Sequence, residues 1–241
     1  MKFKSLLVAA ALWAGTGALC FGQIAGHVKV DGKVPDPKPI DMSSKPECDS
    51  QHPDPATDET IVVDDKNNLA NVVVSIQPDE GLPLPAGDAG SLPTAVIDQK
   101  GCQYSPHVLA VEVGQKIDVK NDDPLQHNIH SLAEKNATFN QAQSKGDVLH
   151  VDPMKVAETF KIKCDVHAWM GATVVVFEHP YFAVSAADGS YSIPTKDLPD
   201  GDYNIVAWQE KFGKSDPIKV TVKDGKADKA ADFTFKADAG G

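Results

Sequence analysis

Hydrophobic and polar residues alternate in short runs along most of the chain, and helical periodicity is nearly absent. Clear examples are HVKVDGKV, NVVVSIQ, VLAVEVGQKIDVK, ETFKIKC and TVVVFE, each bounded by Gly, Pro, Asn or Asp. Alternation with a period of two is typical of strands that bury one face. Short strands recurring at this spacing predict an all-β protein built as a sandwich or barrel.

The strand pattern predicts three successive parts. Residues 23–93 form a β extension that includes a Pro/Gly-rich loop, and residues 94–178 carry the longest strand runs. The pattern then restarts, which predicts a small β unit over residues 179–241. A unit of about 60 residues is close to the lower size limit for an independent hydrophobic core. In this last part Trp208 is predicted as the core aromatic residue, and no residue suggests chemistry.

The N-terminus has the pattern of an export signal. Residues 1–22 read MKFKSLLVAAALWAGTGALCFG, with two lysines, a short apolar run and then small residues. This order is typical of a secretory signal peptide, and the apolar run is too short to span a bilayer. Lipidation at Cys20 is an alternative, although Leu19 is bulkier than such a site normally accepts. The sequence therefore predicts an exported protein, periplasmic or extracellular, that is not integral to a membrane.

Charge narrows the range of partners. The formal net charge is −11, and removal of Lys2 and Lys4 with the signal peptide would take it to −13. So acidic a protein disfavours nucleic acid and anionic lipid as partners, and its charge suits either solubility or a basic protein partner.

Three cysteines remain in the exported chain: Cys48, Cys102 and Cys164. In an oxidising compartment two cysteines commonly pair, and an odd third needs a reason. Three pairings are possible. Cys164 lies close to a histidine and a methionine, whereas the other two cysteines lie in turn-like contexts. We therefore predict a disulfide between Cys48 and Cys102 and a free thiolate at Cys164; an inert, buried Cys164 thiol is the alternative.

The stretch CDVHAWM carries the candidate chemistry, because it places Cys164, His167 and Met170 at a C-x2-H-x2-M spacing between two predicted strands. Copper sites for electron transfer use two imidazoles and one thiolate in a near-trigonal plane, with a weak axial thioether. The second imidazole has to come from another strand end. His127 follows an Asn-Asp-Asp-Pro turn and opens the predicted strand HNIHSL, so it is the candidate.

These residues and their order resemble the cupredoxins, the blue (type 1) copper proteins of the amicyanin/plastocyanin-like kind. The resemblance covers roughly residues 94–178 and implies a Greek-key β-sandwich that binds one copper ion, cycling between Cu(I) and Cu(II). It implies that Asn128 steadies the thiolate by hydrogen bonding. Lys163 and Ala168 depart from the family pattern, in positions that could retune the potential or partner contact. The implied copper ligands are His127, Cys164, His167 and Met170.

The segment after residue 180 resembles the carboxypeptidase-regulatory, transthyretin-like β domains, through DGSYSI and LPDGDYNIVAW. Such domains are mostly structural or interaction modules. The resemblance therefore implies a cupredoxin sandwich followed by a small β-sandwich domain.

The function expected from these features is transfer of single electrons between redox partner proteins. Four protein ligands leave the metal no open position, which disfavours an enzyme. Three alternatives stay open: a copper-binding sensor or carrier, a cell-surface β-rich interaction module, and an open, red-type copper site. His130 and His107 are alternatives to Met170 as the fourth ligand. His167 is expected to face solvent, with Trp169 partly exposed beside it.

Overall fold

The computed structural model describes residues 22–79 and 82–237. Cys20 and all but the last residue of the predicted signal peptide lie outside the described residues. Within the described ranges, no helix is long and apolar enough to cross a membrane.

The regular secondary structure of the described residues is almost all β-strand, which confirms the all-β prediction. The helical elements are a single turn, α1 (Pro46–Asp49), and a 3-10 turn at Ala89–Ser91. The strands in the first half of the chain are β1 (Gln23–Asp31), β2 (Val73–Gln77), β3 (Ala95–Lys100), β4 (Gln103–Ser105), β5 (Val108–Glu112) and β6 (Ile117–Asn121). The next six are β7 (His127–Ser131), β8 (Asn140–Gln143), β9 (Val148–Val151), β10 (Glu158–Lys163), β11 (Gly171–Phe177) and β12 (Phe182–Val184). The last six are β13 (Ser190–Pro194), β14 (Gly201–Gln209), β15 (Gly213–Lys214), β16 (Ile218–Lys223), β17 (Lys226–Ala227) and β18 (Phe233–Lys236).

The first sandwich consists of two sheets, in the strand orders β5-β11-β10-β7-β8 and β4-β3-β6-β9. Its core lies between the sheets and includes Ile97, Val119, Ile129, Phe160 and Val174. The neighbouring strands β10 and β11 differ in which of their residues are buried. In β10 buried and non-buried residues alternate, whereas the run of β-branched residues in β11 is buried on both faces. A β-branched run of this kind is favoured in a strand covered on both sides.

The second sandwich combines both ends of the described chain. Its sheets have the orders β12-β2-β14-β16-β17 and β13-β1-β18, with β15 paired to β14. Strand β1 pairs with β13 in antiparallel and with β18 in parallel orientation, and β2 lies between β12 and β14. The core between these sheets includes Ile24, Val74, Ile193, Ile205 and Phe233. Residues 23–93 are therefore not a separate extension, because two of their strands complete the sheets formed after residue 179.

The segment between β1 and β2 packs partly on the first sandwich. Met42 and Cys48 are buried in the core of that sandwich. Cys48 forms a disulfide with Cys102, which confirms the predicted bridge, and Cys164 is free.

The two sandwiches meet through an apolar cluster and a buried carboxylate. Val73, Val108 and Val175 form the centre of the cluster. Close to it, the Glu210 carboxylate of the second sandwich is held by three donors of the first. The distances are 2.8 Å to Nε2 of His107, 2.7 Å to Nζ of Lys161 and 2.9 Å to Oγ1 of Thr173. Lys161 and Thr173 lie on β10 and β11, so Glu210 bridges two adjacent strands.

Candidate metal centre

The loop that carries three predicted ligands connects β10 to β11, and it is closed by main-chain hydrogen bonds. Strand pairing places Lys163 opposite Gly171, so the two ends of the loop lie side by side. The Cys164 N–H donates to the Met170 carbonyl at 3.2 Å, and the Met170 N–H donates to the His167 carbonyl at 3.0 Å. The chain therefore turns within one tight loop, which brings the Cys164 and His167 side chains to the same end of the sandwich.

His127 reaches the same place from a neighbouring strand. It is the first residue of β7, which pairs with β10 through His130 and Lys163. Nδ1 of His127 lies 3.1 Å from Nδ1 of His167, and Sγ of Cys164 lies 3.8 Å from that same nitrogen. Donor atoms of His127, Cys164 and His167 all lie within 4.8 Å of one another. Two nitrogens that both bind one ion at about 2.0–2.1 Å lie roughly as far apart as the Nδ1 atoms of His127 and His167 do here.

All three side chains are buried, which differs from the expectation that His167 faces solvent. The exposed fractions are 0% for His127, 3% for Cys164 and 1% for His167. The His167 ring is covered by the disulfide, since donor atoms of Cys48, Cys102 and His167 also lie within 4.8 Å of one another. Trp169 is half-buried, as expected, and its ring centroid lies 5.2 Å from that of His167.

The disulfide segment is tied to the loop and to His127. The Trp169 indole N–H donates to the Cys102 carbonyl at 3.0 Å. Oδ2 of Asp123 lies 2.7 Å from Nε2 of His127 and accepts the Cys102 N–H at 2.7 Å, while Oδ1 accepts the Gly101 N–H at 2.7 Å. Asp123 is a site residue that the sequence analysis missed. Its position four residues before His127, in the Asn-Asp-Asp-Pro turn, was the available clue.

Asn128 connects the two segments that supply the donors. Its Oδ1 accepts the Asp165 N–H at 3.1 Å, and its Nδ2 donates to Asn140 at 2.7 Å. The Cys164 sulfur accepts the Val166 N–H at 3.4 Å, and a backbone hydrogen bond from Asn128 contributes to the lowered pKa of Cys164. The side chain therefore braces the loop, while the backbone stabilises the thiolate.

The electrostatics of the cluster favour a thiolate beside an imidazole. Burial alone raises the pKa of Cys164, but hydrogen bonds from His127 and from backbone N–H groups outweigh it and hold that pKa below its usual range. Burial alone lowers the pKa of His127, whereas hydrogen bonds to Asp123 and Cys164 raise it overall. Burial and the nearby charge of His127 lower the pKa of His167. A thiolate with a lowered pKa is the form that binds metals.

The three candidates for a fourth ligand lie in different environments. Met170 is 2% exposed, ends the loop and packs in the core of the first sandwich. His130 is partly exposed and its Nδ1 lies 3.0 Å from Oδ2 of Asp165, while His107 binds Glu210. Neither of these histidines shares a donor cluster with Cys164 among the described residues. One thiolate and two imidazoles, with a thioether on the same loop, make a donor set that suits a soft or borderline metal ion.

No protein-family model and no curated protein matches the sequence. Several solved structures resemble part of the chain. A copper-containing nitrite reductase from Thermus scotoductus is 16% identical with a TM-score of 0.35, and the match spans 39% of this chain but only 27% of that one. A purple cupredoxin from Nitrosopumilus maritimus is 26% identical with a TM-score of 0.30, over 34% of this chain and 99% of that one. A variant of amicyanin in its Cu(I) form is 23% identical with a TM-score of 0.32, over 43% of this chain and 98% of that one. Because the TM-scores are low, the chemistry of the centre is inferred from its own geometry, and the resemblance of residues 179–241 to carboxypeptidase-regulatory domains stays a prediction.

Proposed function

We propose that this protein is a type 1 copper protein that carries single electrons between redox partners. The observation that supports this most directly is the convergence of His127, Cys164 and His167 in one buried cluster. Two imidazoles and one thiolate are the in-plane donors that electron-transfer copper sites use. Met170 would supply the fourth donor, a thioether, and one copper ion is proposed per chain.

In this proposal the copper ion supplies the one-electron change between Cu(I) and Cu(II), and the chain supplies a fixed and dry surrounding. His127 and the loop are held by separate strands of one sheet, so the donors keep their spacing when the metal charge changes. Burial of all three side chains would exclude water from a bound ion. A site that stays rigid and dry needs little rearrangement when an electron enters or leaves.

The same ligand set argues against an enzyme. Catalysis at a metal ion commonly requires a position that is open to water or substrate. Three buried protein donors and the proposed thioether leave none, and the disulfide covers the His167 side. We therefore propose no catalytic residue.

Export to the periplasm or the extracellular space is part of the proposal. The Cys48–Cys102 disulfide supports it, because disulfides persist in oxidising compartments. The formal net charge of −11 favours a redox partner with a basic docking surface.

A copper carrier that does not pass electrons is the second candidate. The burial of His167 under the disulfide favours it, because a partner cannot touch an imidazole that is 1% exposed. The rate of electron self-exchange, measured by NMR on mixtures of the Cu(I) and Cu(II) forms, separates the two. A rapid exchange supports the electron carrier, and an undetectable one supports the copper carrier.

The central test is the variant Cys164→Ser. We expect the copper-loaded wild type to show strong visible charge-transfer absorption from the thiolate, and Cys164→Ser to lose it while its circular dichroism stays that of a β-protein. His150→Gln is the matched control, because this histidine is exposed and lies outside the donor cluster. A Cys164→Ser protein that stays coloured and redox-active would refute the assignment.

A further inference from the structure

The buried carboxylate of Asp123 is the strongest polar feature beside the metal centre that the proposed ligand set does not use. Asp123 is 1% exposed and lies in the turn between β6 and β7. A carboxylate is rarely buried unless it is paired or hydrogen-bonded. Here it has three partners: the Gly101 and Cys102 N–H groups and Nε2 of His127.

We propose that Asp123 is a positioning residue of the metal centre, which holds the Nε2 proton of His127 and thereby commits Nδ1 to the metal ion. The consequence for copper rests on the proposed function, whereas the consequence for the imidazole proton does not. The donor cluster that joins Cys102, Asp123 and His127 is the geometric basis of this inference.

The backbone, and not the histidine, fixes the direction of the carboxylate. Gly101 and Cys102 both have positive φ angles, 63° and 53°, and this turn points their two N–H groups at Asp123. The disulfide anchors Cys102, and the Asp123 N–H donates to Oδ1 of Asn121 at 3.0 Å. The carboxylate is therefore held before the imidazole binds it, so the imidazole has to present an N–H to Oδ2.

A neutral imidazole carries its proton on one nitrogen and a lone pair on the other. Since Nε2 lies 2.7 Å from an acceptor that cannot donate, the proton belongs there and the lone pair lies on Nδ1. Nδ1 is the atom that lies 3.1 Å from Nδ1 of His167, inside the cluster. Carboxylate partners of this kind orient metal-binding histidines and increase their basicity.

The charge of Asp123 gives a second consequence. A buried anion that is one imidazole away from the metal stabilises the more highly charged ion, Cu(II), relative to Cu(I). Asp123 is therefore expected to lower the midpoint potential and to strengthen Cu(II) binding. Removal of such a partner typically weakens metal affinity about 10- to 100-fold.

The test compares Asp123→Asn with the matched control Asp122→Asn, whose carboxylate belongs to the exposed neighbour in the same turn. The first readout is nitrogen NMR of the metal-free proteins at alkaline pH, where the imidazole is neutral. We expect the wild type and Asp122→Asn to carry the His127 proton on Nε2, and Asp123→Asn to show a mixture of the two tautomers. The second readout is on the copper-loaded proteins, where Asp123→Asn alone is expected to bind Cu(II) about 10- to 100-fold more weakly and to have a higher potential.

A wild-type His127 that carries its proton on Nδ1 would overturn the proposal, even if Asp123→Asn does not fold. So would an Asp123→Asn protein with an unchanged tautomer and an unchanged potential. Failure of the proposed function looks different, because then the wild type itself binds no copper or shows no charge-transfer band, while the tautomer is still measurable in the metal-free protein.

Discussion

Among the four predicted ligands, His127 has the most hydrogen-bond support and Met170 the least. The imidazole of His127 is held by Asp123, whereas Met170 is fixed through its backbone within the loop. A ring whose proton is held in place can turn little, but an unbranched thioether can adapt to a gap in the core. In the proposed centre the two imidazoles and the thiolate would therefore be the firmly held donors, and Met170 would be a softer, adaptable one.

This division predicts different outcomes for the same substitution at two positions. Met170→Gln exchanges a thioether, which favours Cu(I), for an oxygen donor, so the midpoint potential should fall and the colour should change while copper stays bound. His167→Gln removes a donor from the plane, so copper should be lost. Voltammetry and copper retention after dialysis measure both effects. Equal copper loss in the two variants would show that Met170 is not a weakly bound ligand. An unchanged potential in Met170→Gln would make His130 and His107 the next candidates for the fourth ligand.

Residue types and spacing were enough to predict that His127, Cys164 and His167 cluster. A C-x2-H-x2-M loop combined with a histidine at the start of a strand supplies the donors that are typical of a copper site. The sequence could not show that Asp123 binds His127 and that Asp122, beside it, is exposed. Which of two adjacent carboxylates turns inward depends on the Gly101–Cys102 turn, which lies about 20 residues earlier in the chain and has two N–H groups to satisfy. The burial of His167 was missed for the same reason, since the disulfide that covers it comes from a distant segment.

At the scale of elements, the segment around α1 acts as a cover for the metal centre. This helix is one turn long and has no side-chain cap, and the Cys48–Cys102 bridge fastens it to the first sandwich. The bridge packs on the His167 ring, and Trp169 ties Cys102 to the loop. In the proposed centre, a metal ion would therefore reach His167 from this side only when the cover moves.

The double variant Cys48→Ser, Cys102→Ser should loosen this cover. We expect faster transfer of copper to an added chelator and a loss of stability of about 4 kcal/mol in the chain-entropy treatment of a loop this long. Stopped-flow chelation and chemical denaturation measure the two effects. Ser50→Ala, an exposed position just after α1, is the control. An unchanged transfer rate in the destabilised double variant would show that the segment does not control access to the metal.

The strands themselves were easier to predict from the sequence than the way in which they pair. Alternation identifies a strand and its buried face, as in β10, but it carries no information about which strand lies beside it. The pairing of β1 with β18 joins residues about 200 positions apart in the chain and was therefore missed. Because β1 and β2 fill places in the sheets of the second sandwich, that sandwich is larger than the 179–241 segment suggested.

For the whole molecule, Glu210 links the second sandwich to the strands on either side of the metal-binding loop. It binds His107, Lys161 and Thr173, and the last two lie on the strands that enter and leave the metal-binding loop. Burial alone raises the pKa of Glu210, but hydrogen bonds from His107 and Lys161 outweigh it and lower that pKa to about 2. The second sandwich therefore stabilises the base of the loop through one ionised carboxylate.

Glu210→Gln should weaken this link in a pH-dependent way. The pKa of Glu210 in the folded protein, about 2, is below the ordinary glutamate value of 4.5. The ionised Glu210 carboxylate therefore stabilises the folded protein fully at pH values above 4.5. This stabilisation is lost as the pH falls from 4.5 towards 2. We expect the variant to be less stable than the wild type by roughly 1–3 kcal/mol at neutral pH, and this difference to shrink across that acid range.

Denaturation at several pH values measures the stability of Glu210→Gln, and hydrogen exchange in β10 and β11 reports whether the base of the loop loosens. Glu178→Gln, at an exposed position, is the control. Loss of the Glu210 charge should speed exchange in these two strands, because Lys161 and Thr173 lose the carboxylate that joins them. A stability difference that stays constant from neutral to strongly acidic pH, or unchanged exchange in these strands, would show that the Glu210 charge does not couple the second sandwich to the loop.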